Sequence, residues 1–450
     1  MTIATQTTST TASQSLAKFV AELSLNNVPQ EVQERAKDCI IDSVAVGTFG
    51  ARFPWSRMVV EYASQYGTGG NCTVLGFPGL KLSAPLAALA NGSLTHANEQ
   101  DNLRQPGAGV HAGACIVPAV LAACEETGAD GKTALAAVIA GTEVLFRVGA
   151  ASHHSSEKLG FHAPGLTGPY GAAVAAGKVY GLNAEQLVNA LGIAGSLGGG
   201  LLAFTKAQQG AMVKRLHMGR ACEAGILAAR LAKQGYTGPE TILEGKFGFL
   251  DVYCRDGEAG LLIAKLNADW ETLRICLKRY ACHVTSHPPV QALRELMSSN
   301  GFKGVDVESI SIKASEKVVS HHVIHEPSDI MQAQYSMPFN VALAVYRDPD
   351  DAASFDDSAM NDPAIRAMCR SIQVTLDKDA KTNWSSTLTV KLKDGRQFTA
   401  AGESFKGMPR DPLSRAELKH KYSLLMAGQT DAGRVFSHLE NLEAQSSFLP

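Results

Sequence analysis

The chain reads His96-Ala97-Asn98-Glu99-Gln100-Asp101 and, shortly after, His111-Ala112-Gly113-Ala114. Two histidines and two carboxylates stand here between apolar stretches. A carboxylate beside an imidazole shifts the pKa of both, so Glu99, Asp101 and His111 are candidates for acid/base chemistry. The plainer alternative is a solvated, capping loop, since Pro106-Gly107-Ala108-Gly109 cannot be regular structure.

Three other polar groups look like partners of this segment. Gly160-Phe161-His162 sets a histidine in a turn. Thr167 is placed to N-cap the helix that follows, with Pro169 in its first turn, and such a helix end attracts a carboxylate. A core histidine bonded to backbone is the ordinary alternative for His162. Lys214 and His217 share one face at the start of a helix, with Arg215 directed to the other side. A lysine there either snorkels to solvent or stays in a cleft to meet an anion. The neighbours Gly219, Ala221, Ala224 and Ala228 favour a buried helix and therefore the cleft. His283 and His287 close the set, in a polar run from Lys278 to Pro289 that reads either as a hinge or as a contribution to the cleft.

Other signals point away from metals and nucleotides. His321-His322-Val323-Ile324-His325 lacks a zincin glutamate and a third ligand. Gly198-Gly199-Gly200 follows a helix and lacks the dinucleotide fingerprint. Neither a P-loop nor a nucleophile elbow is present. The expectation is no metal and no cofactor.

The elements that must position these residues are mostly helical up to about Asn267. Helical periods run through Leu16 to Leu23, Val32 to Val44, Ser83 to Leu94, Lys132 to Val148, Ala184 to Leu197 and Lys214 to Lys233. Many are dense in Ala and Gly, which lets helix axes approach closely. Alternation of period two then marks strands at Ser309 to Lys313, Ile372 to Leu376, Thr387 to Leu392 and Gln397 to Ala400, with Asp394-Gly395 as a hairpin turn. The sequence thus predicts a mainly α protein, a large all-helical domain plus a smaller α+β lid. The expected bounds are a disordered tail over 1–15, an all-helical domain over 16–267 plus 405–450, and the lid over 268–404.

A length of 450 residues fits two domains. With 41 Lys and Arg against 43 Asp and Glu, net charge gives no case for nucleic acid or an acidic membrane surface. No apolar run reaches spanning length without interruption. Nine scattered cysteines read as reduced thiols of a cytoplasmic protein.

In this order the segments resemble the MmgE/PrpD family over nearly the whole chain. The resemblance is carried by Val110-His111-Ala112-Gly113-Ala114, Gly160-Phe161-His162, Lys214-Arg215-Leu216-His217, Glu244-Gly245-Lys246-Phe247-Gly248 and Lys278-Arg279-Tyr280. It implies a helical domain with an α+β lid, a homodimer, and no metal or organic cofactor. Active-site positions carry over to His111, His162, Lys214 and His283, with His287 close by. Relatives that eliminate water or carbon dioxide tend to read His-x-x-Asp-Phe-Asp-Asp-Thr where this chain has His96-Ala97-Asn98-Glu99-Gln100-Asp101-Asn102-Leu103. The loss of a hydroxyl and a carboxylate favours a simpler reaction at the same α-carbon.

The expected function is a cofactor-independent epimerase of a small polycarboxylate, with iminodisuccinate as the implied substrate. His111, His162 and Lys214 form the acid/base core, and Glu99, Asp101, His217, His283 and His287 bind or orient. The alternatives are a dehydratase or decarboxylase of a tricarboxylate of the 2-methylcitrate or cis-aconitate type, and a non-catalytic helical binding protein.

Overall fold

The computed structural model describes residues 10–107, 109–207 and 210–450. Most of the expected tail, residues 1–9, lies outside the described residues. From Ala12 on it is helical. Thr11 caps the helix Ala12–Glu22 by accepting from the Gln14 amide, while the Gln14 side chain accepts from the Thr11 amide. This reciprocal cap satisfies two otherwise orphaned donors, so the helix starts earlier than its apolar period.

The large unit is a stack of helices around Val213–Lys233, which packs against Ala163–Val179 and Ala84–Thr95. The crossing with Ala84–Thr95 is very close. A Cβ on Gly219 would stand 2.2 Å from the Leu89 carbonyl oxygen, and one on Gly92 would stand 2.9 Å from the Gly219 Cα. Only glycine fits there, and the close fit sets the distance from Lys214 to the end of Ala84–Thr95. One helix, Gly131–Ala151, is long and apolar enough to cross a membrane, contrary to the expectation from the sequence. Nearly all of it is buried inside the protein. Its interior charges, Glu143 and Arg147, are met internally: Glu143 accepts from both the amide and the hydroxyl of Thr272, and Arg147 donates to the carbonyls of Ala264 and Asp269.

The second unit is built on a four-stranded sheet in the order Gln373–Leu376, Val307–Ala314, Ser386–Leu392, Gln397–Gly402. The first pair is parallel and the other two are antiparallel. Ile310, Ile312, Leu388, Val390 and Leu392 point to one covered face, on which the helix His287–Asn300 lies. The alternation legible in the sequence is this in-and-out pattern. The protein is therefore mainly α with a smaller α+β unit.

The two units are tied together at the segment singled out by the sequence. Leu103–Arg104 pairs antiparallel with Ile275–Cys276 at the junction. The chain end returns to the helical unit as Arg415–Leu425 and Ala432–Glu440, both packed on Gln30–Gly50. Lys421 reaches from there to an ion pair with the buried Asp42.

Candidate active site

Ala84–Thr95 ends at His96, and the chain then turns sharply through residues 97–102 before it pairs at Leu103. Glu99 sits at φ +58°, a left-handed conformation that a side-chain-bearing residue rarely adopts. The turn is held by its backbone. Four successive carbonyls, of Ala97, Asn98, Glu99 and Gln100, accept from Trp55 Nε1, Gln334 Nε2, Lys278 Nζ and Lys421 Nζ at 3.2, 2.8, 2.8 and 3.3 Å.

Asp101 bridges two histidines. Its Oδ1 lies 2.9 Å from His96 Nδ1 and its Oδ2 lies 2.8 Å from His111 Nδ1. Burial pushes the Asp101 carboxyl up, but the two imidazoles outweigh it and hold the group well below the usual carboxylate range. Asp101 is therefore ionised and accepts both bonds. Each Nδ1 carries the proton, and the free lone pair of a neutral ring is on Nε2. Burial lowers His96 to about 4, so it is neutral at working pH. One ligand atom from each of His96, Asp101 and His111 falls within 4.8 Å of the others, a spacing a metal could bridge. In this arrangement the Nδ1 atoms are engaged with Asp101.

Glu99 is the anion of a second cluster. It forms an ion pair with Lys214, while Arg215 Nη2 lies 3.9 Å from its Oε1 and Lys278 Nζ lies 3.7 Å from its Oε2. Burial raises the Glu99 carboxyl, and the lysines more than reverse that, leaving it well below its ordinary value. Three buried cations thus converge on one carboxylate. Arg215 does not point to the other side of its helix as expected. It turns back to Glu99, with its guanidinium carbon 5.7 Å from the centre of the Trp55 ring. Burial lowers the Lys214 pKa and Glu99 opposes that.

His162 and His217 face each other, Nδ1 to Nδ1 at 2.9 Å. One must donate and the other accept, so the pair holds one proton between two nitrogens. Burial drives His162 well below its ordinary pKa, and the nearby Lys214 adds to the shift. The glycine run Gly198-Gly199-Gly200 makes room for this pair. Gly200, at φ +145°, would set a Cβ 3.1 Å from His217 Nδ1, and its carbonyl accepts from the His162 amide at 3.1 Å. Thr167 is not the N-cap. Ala163–Val179 begins straight after His162, and the Thr167 hydroxyl donates back to the Ala163 carbonyl inside the helix. Pro164 takes the first-turn place expected of Pro169.

The lid contributes His283, whose ring stacks on His322 with centroids 4.1 Å apart and lies 5.2 Å from Tyr335. Tyr335 also carries Lys214 Nζ over its face, 5.1 Å from the ring centre. His287 joins none of the ion pairs. It packs against the rings of Tyr280 and Phe405.

The structure therefore brings Glu99, Asp101, His111, His162, Lys214, His217 and His283 into linked clusters and sets His287 apart. Sequence reasoning passed over Lys278, Tyr335, His322 and Gln334 as site residues. Lys278 stands in the same polar run as His283 and was within reach. Tyr335 and Gln334 lie in Gln332-Ala333-Gln334-Tyr335 and carry no chemical signature of their own. The site is closed: His96, Glu99, Asp101, Lys214 and Lys278 are all buried. An open surface cavity lined by Arg104, Pro106, Gly107, His154 and Arg274 touches the loop between Asp101 and His111 instead.

Residues 14–261 match the MmgE/PrpD N-terminal domain and residues 280–442 match the MmgE/PrpD C-terminal domain. The chain belongs to the MmgE/PrpD family. Among its relatives is a cis-aconitate decarboxylase of Aspergillus terreus, 29% identical over 448 residues that cover 93% of this chain and 90% of that one. The cis-aconitate decarboxylase of Homo sapiens is 26% identical, covering 96% of this chain and 92% of the relative. That of Mus musculus is 26% identical over 91% and 85%. These relatives are enzymes, and their identity to this chain is low.

Proposed function

We propose that this protein is an enzyme that moves a proton at the carbon next to a carboxylate of a small polycarboxylate, using side chains alone. The observation that carries this reading is the excess of buried positive charge around Glu99. Lys214, Arg215 and Lys278 share one carboxylate, and both oxygens of Asp101 are taken by His96 and His111. Buried cations without enough anions are costly unless a ligand supplies the missing charge. A substrate with two or three carboxylates does so.

Loss of an α-proton puts the electron pair on the carboxylate oxygens, where Lys214 and its neighbours stabilise it. His162 is the base we assign. Burial chiefly depresses its pKa and Lys214 adds to that; bound carboxylates offset the cation and raise it toward the range where it accepts a proton. His111, its Nδ1 held by Asp101, offers Nε2 as a second acid or base. Lys214 on the substrate side and Tyr335 beneath it complete the set.

Different outcomes use the same stabilised carbanion. Deprotonation forms it before hydroxide leaves or a proton returns, whereas departure of carbon dioxide forms it from the broken C–C bond and a proton is then added. Loss of carbon dioxide or water from a tricarboxylate is the one that the related cis-aconitate decarboxylases support. Epimerisation, by returning a proton to the opposite face, is favoured by a specific observation at the turn. Asn102 is fully occupied in structure, donating to Asp42 and accepting from the Gly113 amide, and Leu103 is an apolar, buried strand residue. Neither offers the acid or hydroxyl that the eliminating relatives tend to carry there. Iminodisuccinate is the substrate proposed for that reading. A homodimer and a cytoplasmic location complete the proposal.

Proton NMR in D₂O decides among them, with one stereoisomer of iminodisuccinate, cis-aconitate and 2-methylcitrate as substrates. Deuterium at the α-carbon with loss of stereopurity means epimerisation. Release of CO₂ or water means a lyase. No exchange with any of the three would sink the common step.

A further inference from the structure

Arg215 is 4% exposed, and both its Nε and its Nη2 are buried with no hydrogen-bond partner among the described residues. These two nitrogens form one edge of the guanidinium, which grips a carboxylate through two parallel N–H···O bonds. The same protein shows that edge occupied elsewhere. Arg104 holds Glu271 with Nε at 2.6 Å and Nη2 at 3.2 Å. Arg279 holds Asp350 with the same pair of atoms. At Arg215 the edge is empty. Glu99 Oε1 is 3.9 Å from Nη2 and is already taken by Lys214.

The empty edge is also held in place. Trp55 lies against the guanidinium and is itself fixed by its bond to the Ala97 carbonyl. Arg215 follows Lys214 in the chain, so the two side chains leave the helix in different directions, yet both come to Glu99. A fixed, desolvated and unspent fork beside the proton-transfer groups is a poor structural device and a good receptor.

We infer that Arg215 is the specificity-determining residue that receives a second carboxylate of the substrate, remote from the one adjoining the reacting carbon. This rests on the polycarboxylate reading above and adds which residue demands the second acid. Lys214 serves the carbon-acid end and Arg215 serves the far end. The preference for diacids over monoacids then lies in one guanidinium edge.

Calorimetric titration with succinate and with its monoamide, succinamate, tests this on the full-length protein, on Arg215→Met and on Arg215→Lys. Melting temperature without ligand is recorded for each. Arg215→Met is expected to bind succinate roughly 10- to 100-fold more weakly. Its binding of succinamate should change little, so the ratio of the two collapses. Arg215→Lys keeps the charge and loses the fork, and should fall between. Without ligand, Arg215→Met should melt no lower than the parent, because it removes a buried charge that makes no hydrogen bond through Nε or Nη2 and whose one carboxylate is already held by Lys214. A lowered melting temperature with an unchanged succinate-to-succinamate ratio would overturn the inference and make Arg215 structural. If the parent protein binds neither compound and exchanges no proton, the polycarboxylate reading itself fails. If the parent binds succinate and only the ratio is insensitive to position 215, the failure is confined to Arg215.

Discussion

The helical half of the site and the lid half are built on different physics. In the helical half, the two carboxylates and the facing histidines have charged or directional partners: Asp101 with two imidazoles, Glu99 with Lys214, His162 with His217. In the lid half, the groups are stacked rings. His283, His322 and Tyr335 lie over one another, and His322 Nε2 is buried without a partner among the described residues. Directional bonds fix a tautomer and an orientation, as proton transfer requires. Stacks fix a plane; here each Nδ1 is bonded, His283 to the Thr285 hydroxyl and His322 to the Tyr335 carbonyl, and Nε2 is the nitrogen left to face a ligand. On the proposed function, the difference fits chemistry in the helical half and covering of the substrate by the lid.

The strongest attempt to break that division is to remove the chemical groups. Lys214→Ala and His162→Ala should each lower turnover by about 10²- to 10⁴-fold, measured in the D₂O exchange assay. Near-full turnover in both would move the chemistry elsewhere. Next comes Asp101→Asn, which removes the charge that orients His96 and His111. It should cost about 3 kcal/mol of stability in urea unfolding, together with a large drop in turnover. Unchanged stability would mean the two hydrogen bonds contribute nothing.

A pH series separates the halves by stability. Burial holds His96, in the helical half, and His322, in the lid, at about 4 against an ordinary 6.5. Between those values the unfolded chain takes up protons that the folded chain refuses. Stability is therefore fully present above about 6.5 and falls as pH drops toward about 4. Melting temperature should fall over that window, and less steeply in His322→Phe, which keeps the stack and loses the titrating group. An identical slope would exclude His322 from the effect. The smallest change is expected from His287→Phe, with turnover within about twofold of the parent because His287 packs against rings outside the ion pairs. A large loss would return His287 to the site.

Much of this was legible in the sequence, for reasons that differ by residue. The two central lid strands announce themselves because one face of each is covered, which writes period two into Ile310, Ile312, Leu388 and Val390. His111, His162 and Lys214 stand out because charge interrupts apolar helices. The direction of Arg215 was not legible. Helical spacing places it off the Lys214 face, but a long side chain can turn back, and the pull of Glu99 and the Trp55 ring is a tertiary fact. Thr167 misled because a hydroxyl before a proline reads as a cap, while the helix had already begun at Ala163. His322 was set aside with its neighbours as a failed metal motif. Its stacking on His283 depends on a chain crossing that spacing does not reveal.

The four carbonyls of residues 97–100 carry one more consequence. Trp55, Gln334, Lys278 and Lys421 hold that turn by its peptide oxygens, which every amino acid has. The grip does not depend on which side chains the turn displays. The Glu99 side chain can therefore change without removing any of these four bonds, whereas the Asn102 side chain is itself bonded to Asp42 and the Gly113 amide. A lineage built on this frame can try new reactions by single substitutions without first having to relearn how to fold.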